Sequence, residues 1–133
     1  MPRAHLRQFK HGQLEMTPDE FVAKLKIHVI DENLSTYEQL LRTTQVEDAT
    51  GEHWKQSLVL FNALTTDQQL SFLIFIRQVM IDTTSTFLGT IDGVCHIAGA
   101  HEDFELTYGE SGDALSGDLQ SLFLASEESQ PPR

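Results

Sequence analysis

The sequence predicts a mainly α-helical protein: a helical bundle around a long central helix at about residues 66–88, with a small antiparallel β-hairpin near residues 94–108. Three observations support this prediction. Apolar residues recur every three or four positions between residues 21 and 64. Nine of the twelve residues in the window 70–81 are apolar, a density typical of a buried helix. Residues 104–108 alternate apolar with polar side chains, as a half-buried strand does.

The first helix has the clearest start signal. Thr17 is a favoured N-cap residue, Pro18 fits the first helical position, and Glu20 completes a capping box. No Gly or Pro interrupts the apolar series that follows, so we predict one helix over residues 18–43, with a possible bend near residues 31–35.

The next two helices follow a polar connection. Helical spacing of Trp54, Leu58, Phe61 and Leu64 predicts a helix over about residues 51–63. The run Thr-Thr-Asp-Gln-Gln that begins at residue 65 offers a cap with a glutamine three residues on, and it opens the long helix. Gly89 stands where a left-handed residue would end that helix.

The character of the chain changes after Gly89. Residues 94–98 and 104–108 are the two predicted strands, and the five residues between them can form the hairpin loop. Ser116 can cap a last helix, with Asp118 near its positive N-terminal end.

A chain of 133 residues favours one domain. We expect a polar N-terminal arm (1–16), a single globular domain (17–125) and a polar C-terminal tail (126–133). The predicted core comprises Phe21, Leu25, Leu40, Leu41, Trp54, Leu58, Phe61, Leu73, Ile76, Met80, Phe87, Leu106, Leu119 and Phe123.

Charge and cysteine content restrict the function. Twenty acidic residues against nine Lys and Arg give a net charge of −11, which disfavours binding to nucleic acid or to an anionic membrane surface. The apolar window is also shorter than the roughly 20 residues that a membrane crossing needs. Cys95 is the single cysteine, so no internal disulfide can form and a cytoplasmic location is expected.

Candidate metal ligands lie around the predicted hairpin. His96 and His101 could bind a metal ion together with neighbouring carboxylates, but the sequence contains no C-x-x-C or H-E-x-x-H spacing. His28 shares a helix face with Asp31 and Glu32, and it is expected to be a half-buried residue that bonds a neighbour rather than a metal ligand. We predict no catalytic residue and no cofactor.

Two charged residues, one within the apolar window 70–81 and one directly after it, are predicted to have a structural role. Arg77 needs a partner if it is buried, and Asp82 is one that could supply it, so both are predicted as a structural polar core. The alternative is an anion-binding spot formed by Arg77 and the hydroxyls of residues 83–86.

Negative charge concentrates in the last third of the chain. Residues 78–133 hold ten acidic residues and one basic residue, Arg133, and such a field can steer a basic partner. The sequence therefore predicts a non-enzymatic acidic domain that binds a basic protein; the alternatives are a small metal-dependent enzyme and a small-anion-binding domain. The predicted partner-binding residues are Glu102, Asp103, Glu105, Glu110, Asp113 and Asp118.

The apolar window predicts a second kind of contact. Its nearly all-apolar surface exceeds what one small domain can cover, and exposed apolar patches of that kind usually mark interfaces. A symmetric homodimer through this helix or through the helix at 51–63 is expected.

Several stretches carry a family resemblance over about residues 17–125. They resemble a family of small uncharacterised bacterial proteins, which implies a bacterial source and no particular activity. In size and charge the chain is also similar to immunity proteins that neutralise bacterial toxins. The stretches are Trp54-Lys55-Gln56, Leu64 to Gln69, Ile76 to Val79, Asp82 to Ser85, Leu88-Gly89, Ile91-Asp92-Gly93, Phe104 to Tyr108 and Leu115 to Gln120.

Overall fold

The computed structural model describes residues 16–129 and is mainly helical, as predicted. Two short 3₁₀ turns, Val46–Asp48 and Gly109–Ser111, lie between helices. The helices are α1 (Pro18–Lys26), a π-helical segment (Ile27–Glu32), α2 (Asn33–Thr43), α3 (Glu52–Ala63), α4 (Thr66–Ile91) and α5 (Leu119–Glu128). The predicted arm, apart from residue 16, and the last four residues of the predicted tail lie outside the described residues, and α5 extends into that tail.

Residues 18–43 are helical throughout, as predicted, but not as one regular α-helix. The predicted cap forms, because the Glu20 backbone N–H donates to Thr17 Oγ1 at 3.2 Å. The middle of the stretch is the π-helical segment, in which the backbone winds more widely than in an α-helix. Its one buried side chain is that of Ile30.

The predicted helix at 51–63 and the start of the long helix are confirmed. Thr65 and Gln68 form a reciprocal capping box: the Thr65 N–H donates to Gln68 Oε1 (2.9 Å) and the Gln68 N–H to Thr65 Oγ1 (3.2 Å). The prediction that Gly89 ends α4 is wrong, since the helix continues to Ile91. Gly93, with a φ of +81°, is the left-handed residue that follows.

The described chain divides into two compact units. The helical unit is residues 26–83, and the terminal unit comprises residues 16–25 and 84–129. α4 contributes residues to both. The predicted single domain of residues 17–125 stays a prediction, and each unit is described below by itself.

The helical unit is built around one apolar cluster. Leu41 of α2, Leu58 and Phe61 of α3, and Leu73 of α4 are its buried members. Three helices therefore share one core, and burial of side chains of this size stabilises by roughly 1.5–3 kcal/mol each. The partly buried residues packed against the cluster are Leu34, Val46, Ala49, Trp54 and Phe72.

Polar contacts fix the rim of that core around Phe61. The Arg42 guanidinium lies over the Phe61 ring, 5.4 Å from its centroid. Gln69 Nε2 donates to the Phe61 carbonyl (3.0 Å), and Arg42 Nη1 donates to Gln69 Oε1 (3.2 Å). Phe61 is thus contacted from both neighbouring helices, at its ring by α2 and at its backbone carbonyl by α4.

The predicted β-hairpin is wrong: residues 16–129 contain no β-strand, only an isolated antiparallel bridge between Thr107 and Ala114. The alternating segment 104–108 pairs with residues after it and not with 94–98. The Leu106 N–H donates to Ser116 Oγ (2.9 Å), and the Leu106 carbonyl accepts from the Leu115 N–H (2.7 Å). These bonds occupy the backbone of Leu106 that a hairpin with residues 94–98 would need.

The prediction that residues 70–81 are buried on all sides is also wrong. Leu73 and Ile81 are buried, but one side of α4 is bare, because the core of the helical unit covers only part of its circumference. The bare apolar residues are Leu70, Ile74, Phe75 and Val79, which are 47–66% exposed.

The rest of the predicted core is partly confirmed. Leu40 and Phe87 are exposed, contrary to prediction. The confirmed buried residues are Leu41, Leu58, Phe61, Leu73, Leu119 and Phe123, and the half-buried ones are Phe21, Leu25, Trp54, Ile76, Met80 and Leu106. The buried apolar residues that the prediction missed are Val22, Ile30, Ile81, Leu88 and Leu115.

No helix between residues 16 and 129 combines the length and the apolar content that crossing a bilayer demands.

Candidate functional site

The acidic residues predicted to bind a partner all lie in the terminal unit and are all exposed. Residues 84–129 hold nine Asp and Glu and no Lys or Arg, so no basic side chain of this stretch neutralises them. Two of the six predicted residues, Asp103 and Glu105, line one shared cleft. The other four predicted residues are Glu102, Glu110, Asp113 and Asp118.

This acidic cleft is a shallow cavity of about 350 Å³. Phe104 stands between the two carboxylates in sequence and is 51% exposed. Four of the eight lining residues are small (two Gly, one Ala and one Ser), so backbone groups lie close to the cavity. The lining residues are Asp92, Gly93, Asp103, Phe104, Glu105, Ala114, Ser116 and Gly117.

One wall of the cleft is fixed by Asp92, which follows the last residue of α4. Its Oδ1 accepts a hydrogen bond from the Gly117 N–H (2.7 Å) and its Oδ2 one from the Gln120 N–H (2.8 Å). Asp92 therefore caps α5 through Oδ2, a charge-assisted bond at the positive end of the helix, and through Oδ1 it holds the residue that precedes the N-cap Asp118. Asp118, the N-cap residue itself, makes no side-chain cap bond.

The predicted capping role of Ser116 is consequently wrong. Its hydroxyl accepts from the Leu106 N–H instead, and Ser116 is itself one of the residues that line the cleft. Sequence reasoning missed Asp92 as a capping residue because the two bonds join positions 25 and 28 residues apart. The one sequence signal at Asp92 is that the stretch Ile91-Asp92-Gly93 belongs to the family resemblance.

A second side chain behind the cleft was also missed. Gln120 Nε2 donates to the Ser85 carbonyl (3.1 Å) and to Ser85 Oγ (3.2 Å), and Ser85 is buried. A Cβ on Gly89 would lie 2.8 Å from both Cys95 Sγ and Gln120 Cδ. The glycine thus permits close packing here, and Gln120 ties α5 to the second half of α4.

The arrangement suits recognition of a cation. Asp103 and Glu105 supply negative charge at the cleft, and the exposed Phe104 ring offers a face on which a guanidinium can stack. The cleft is open to solvent, so its charges act over the Debye length of about 8 Å at physiological salt.

The predicted polar core residues make separate contacts. Arg77 Nη2 lies 3.7 Å from Asp31 Oδ1, and these side chains are 29% and 47% exposed. Asp82 accepts a hydrogen bond from Gln78 Nε2 at 2.9 Å. An ion pair this exposed contributes about 0–1 kcal/mol. Arg77 is therefore a half-buried surface cation with a carboxylate beside it, and Asp82 is exposed.

The predicted metal ligands His96 and His101 are both exposed. Within residues 16–129, no group of three or more His, Cys, Asp and Glu side chains is arranged to hold a metal ion. His28 bonds Glu32 Oε2 at 3.1 Å, as predicted, but its side chain is exposed rather than half-buried.

Comparison of this chain with protein-family models, with curated proteins and with solved structures finds no match in any of the three.

Proposed function

We propose that the protein is a non-enzymatic binding domain whose terminal unit docks on a basic protein through the acidic cleft. The observation that carries the proposal is the cleft itself, where Asp103 and Glu105 flank an exposed aromatic ring. The proposed contact residues around it are Glu102, Glu110, Asp113 and Asp118.

The two kinds of side chain would do different work. Exposed carboxylates attract a positively charged partner over a distance and raise the association rate, and they contribute less to the affinity once the complex has formed. An aromatic side chain that becomes buried is a typical affinity hot spot, and an arginine of the partner could stack on Phe104. The carboxylates would thus raise the association rate, and the ring would stabilise the complex once it has formed.

The proposal extends to location and to biological role. A single cysteine suits the reducing cytoplasm, where we place the interaction. A small acidic protein that blocks a basic toxin is one form that such a binding domain takes, so we include an immunity-like role in the proposal.

The test is affinity capture at low salt with three immobilised proteins: the unaltered chain, the variant Asp103→Asn/Glu105→Gln, and the matched control Glu47→Gln/Asp48→Asn. Both variants lose two exposed negative charges, but only the first alters the cleft. We expect a basic protein to bind the unaltered chain and the control, and to be lost by the cleft variant. Mass spectrometry identifies what is retained.

Salt dependence then separates this function from unspecific retention. The association rate of the purified partner should fall steeply between about 0.05 and 0.5 M salt, because the Debye length shrinks over that range. The cleft variant should have a shallower salt slope than the control. Equal binding by all three proteins, or retention of no basic protein at low salt, would contradict the proposal.

A further inference from the structure

The bare side of α4 in the helical unit has an ordered pattern. Successive residues of an α-helix are 100° apart, so positions three and four residues apart share a face. Leu70 and Ile74 form one apolar ridge, Phe75 and Val79 form another, and two polar residues lie between the ridges. We call this set the outer strip; its six members, all exposed, are Leu70, Ser71, Ile74, Phe75, Gln78 and Val79.

The outer strip reads the same in both directions. In terms of polarity its order is apolar, polar, apolar, apolar, polar, apolar, and the midpoint lies between Ile74 and Phe75. If two such helices lie antiparallel about a two-fold axis at that midpoint, residue 71 lies opposite residue 78 of the other copy along the middle of the strip. Leu70 and Val79 are 180° apart around the helix and lie at opposite edges of the strip, so the ridge 70/74 packs beside the same ridge of the other copy, and the ridge 75/79 does likewise. The apolar ridges then lie against apolar ridges, and the polar residues between them meet polar residues.

We propose that the outer strip is the interface of an isologous homodimer, with the α4 helices of two copies antiparallel in this register. A two-fold interface must be self-complementary, because the same surface is used on both sides. A palindromic strip meets that requirement, which an unrelated partner would not impose. The proposal is independent of the acidic cleft, which lies in the other unit.

The exposed area matches a small interface. At 47–66% exposure, the four apolar side chains of the strip each expose roughly 100 Å² of surface to solvent, or about 400 Å² per copy. The two polar residues and the flanking turns bring the strip to about 600 Å² per partner, the low end for specific interfaces. A dissociation constant of about 1–100 µM is therefore expected.

The ends of the strip weaken the contact in a way that can be tested. In this register Asp67 faces Asp82 of the other copy, and two such pairs flank the apolar centre; both residues are exposed. Their repulsion is expected to oppose dimerisation at low salt. Asp82→Lys would turn both repulsive pairs into attractive ones, so it should tighten the dimer several-fold.

Sedimentation of the full chain over a concentration series measures the affinity. We expect the unaltered protein to dimerise in the micromolar range and Ile74→Arg to weaken dimerisation at least tenfold. Phe87→Arg, at an exposed apolar residue of α4 outside the strip, is the control and should leave the dimer intact. A chain that stays monomeric at several hundred micromolar, or a control that dissociates as fully as Ile74→Arg, overturns the proposal.

Disulfide cross-linking tests the register. In a Cys95→Ser background, a mixture of Ser71→Cys and Gln78→Cys chains should form cross-linked dimers, because these positions face each other across the two-fold axis. Ser71→Cys alone should not, since its own copies would lie about 10 Å apart along the helices, too far for a disulfide. Efficient cross-linking of Ser71→Cys with itself would indicate parallel helices and would overturn the antiparallel register.

Discussion

The two units of this chain are stabilised in different ways, although both include part of α4. The helical unit buries a cluster of large apolar side chains, and the cap of α4 is formed by bonds between residues three positions apart. In the terminal unit, by contrast, side chains bond backbone groups 10 to 35 residues away, as Ser116, Asp92 and Gln120 do. Where the chain runs through the irregular stretch 92–118, such bonds take over the role of regular secondary structure.

This difference bears on where each unit can interact. A core that uses one side of α4 leaves the other side apolar and bare, which is the surface we propose for a second copy. The irregular stretch instead presents acidic side chains around a cleft whose walls are fixed by Asp92 and Ser116. One unit therefore offers an apolar contact and the other offers a charged contact.

The strongest way to break the helical unit is to remove the ring at its centre. Phe61 is fully buried, packs near Phe72 with ring centroids 6.2 Å apart, and lies under the Arg42 guanidinium. Phe61→Ala leaves a cavity and is expected to lower the free energy of unfolding by about 3–5 kcal/mol. Urea denaturation followed by circular dichroism, at one fixed protein concentration, measures the change.

Phe87→Ala is the matched control for that substitution. Phe87 is 65% exposed, so the same truncation removes little buried surface and should cost less than about 1 kcal/mol. Similar losses from both substitutions would show that Phe61 is not the centre of a packed core.

The helical unit was the more predictable one because its signals are local. The cap of α4 involves Thr65 and Gln68, which stand three residues apart in the sequence; the cap of α1 in the terminal unit, Thr17 with Glu20, was predictable for the same reason. Apolar spacing placed α3 within one residue of its observed start. The error at residues 70–81 concerned burial and not secondary structure, since composition does not show which side of a helix finds a neighbour.

In the terminal unit the largest expected effect comes from Asp92. Asp92→Ala leaves the N–H groups of Gly117 and Gln120 without their acceptor and removes a charge-assisted cap from α5. We expect a loss of about 2 kcal/mol in the free energy of unfolding. Hydrogen exchange should also accelerate at the Gln120 amide, while the amides of α3 keep their protection.

Asp118→Ala provides the control, because it removes the same charge near the same helix end. Asp118 makes no side-chain cap bond, so only its interaction with the helix dipole is lost, about 0.5 kcal/mol. If Asp118→Ala destabilises the protein as much as Asp92→Ala does, charge near the helix end matters and the two hydrogen bonds do not.

The terminal unit was poorly predicted for a physical reason. Alternation at 104–108 favours a strand, but a strand also needs a partner of matching length, and the bonds of Leu106 go to residues 115 and 116. In the candidate site, the sequence predicted the acidic residues only from the high number of Asp and Glu in the last third of the chain. It did not predict the cleft, because Asp92 and Ser116 reach its walls only through contacts distant in sequence.

The smallest predicted effect is at Gly89, where helix propensity and a contact with a residue distant in sequence act in opposite directions. Inside a helix, Gly→Ala usually stabilises by about 0.5–1 kcal/mol. At Gly89, however, the new methyl group would lie 2.8 Å from Cys95 Sγ and from the Gln120 amide. The amide would have to move away from Ser85, to which it donates two hydrogen bonds. Because the lost bonds outweigh the helical gain, we expect Gly89→Ala to destabilise the protein by about 1 kcal/mol.

Replacing Gln120 and Cys95 as well should reverse the sign of the stability change that Gly89→Ala causes. In a chain that carries Gln120→Ala and Cys95→Ala, the space beside position 89 is open and the bonds to Ser85 are already lost. Gly89→Ala should then stabilise by the helical amount, so the effect of one substitution differs by about 1.5–2 kcal/mol between backgrounds. Thermal denaturation of the four proteins measures this coupling. If Gly89→Ala stabilises both backgrounds equally, Gln120 does not hold α5 to α4 in the way that its contacts with Ser85 indicate.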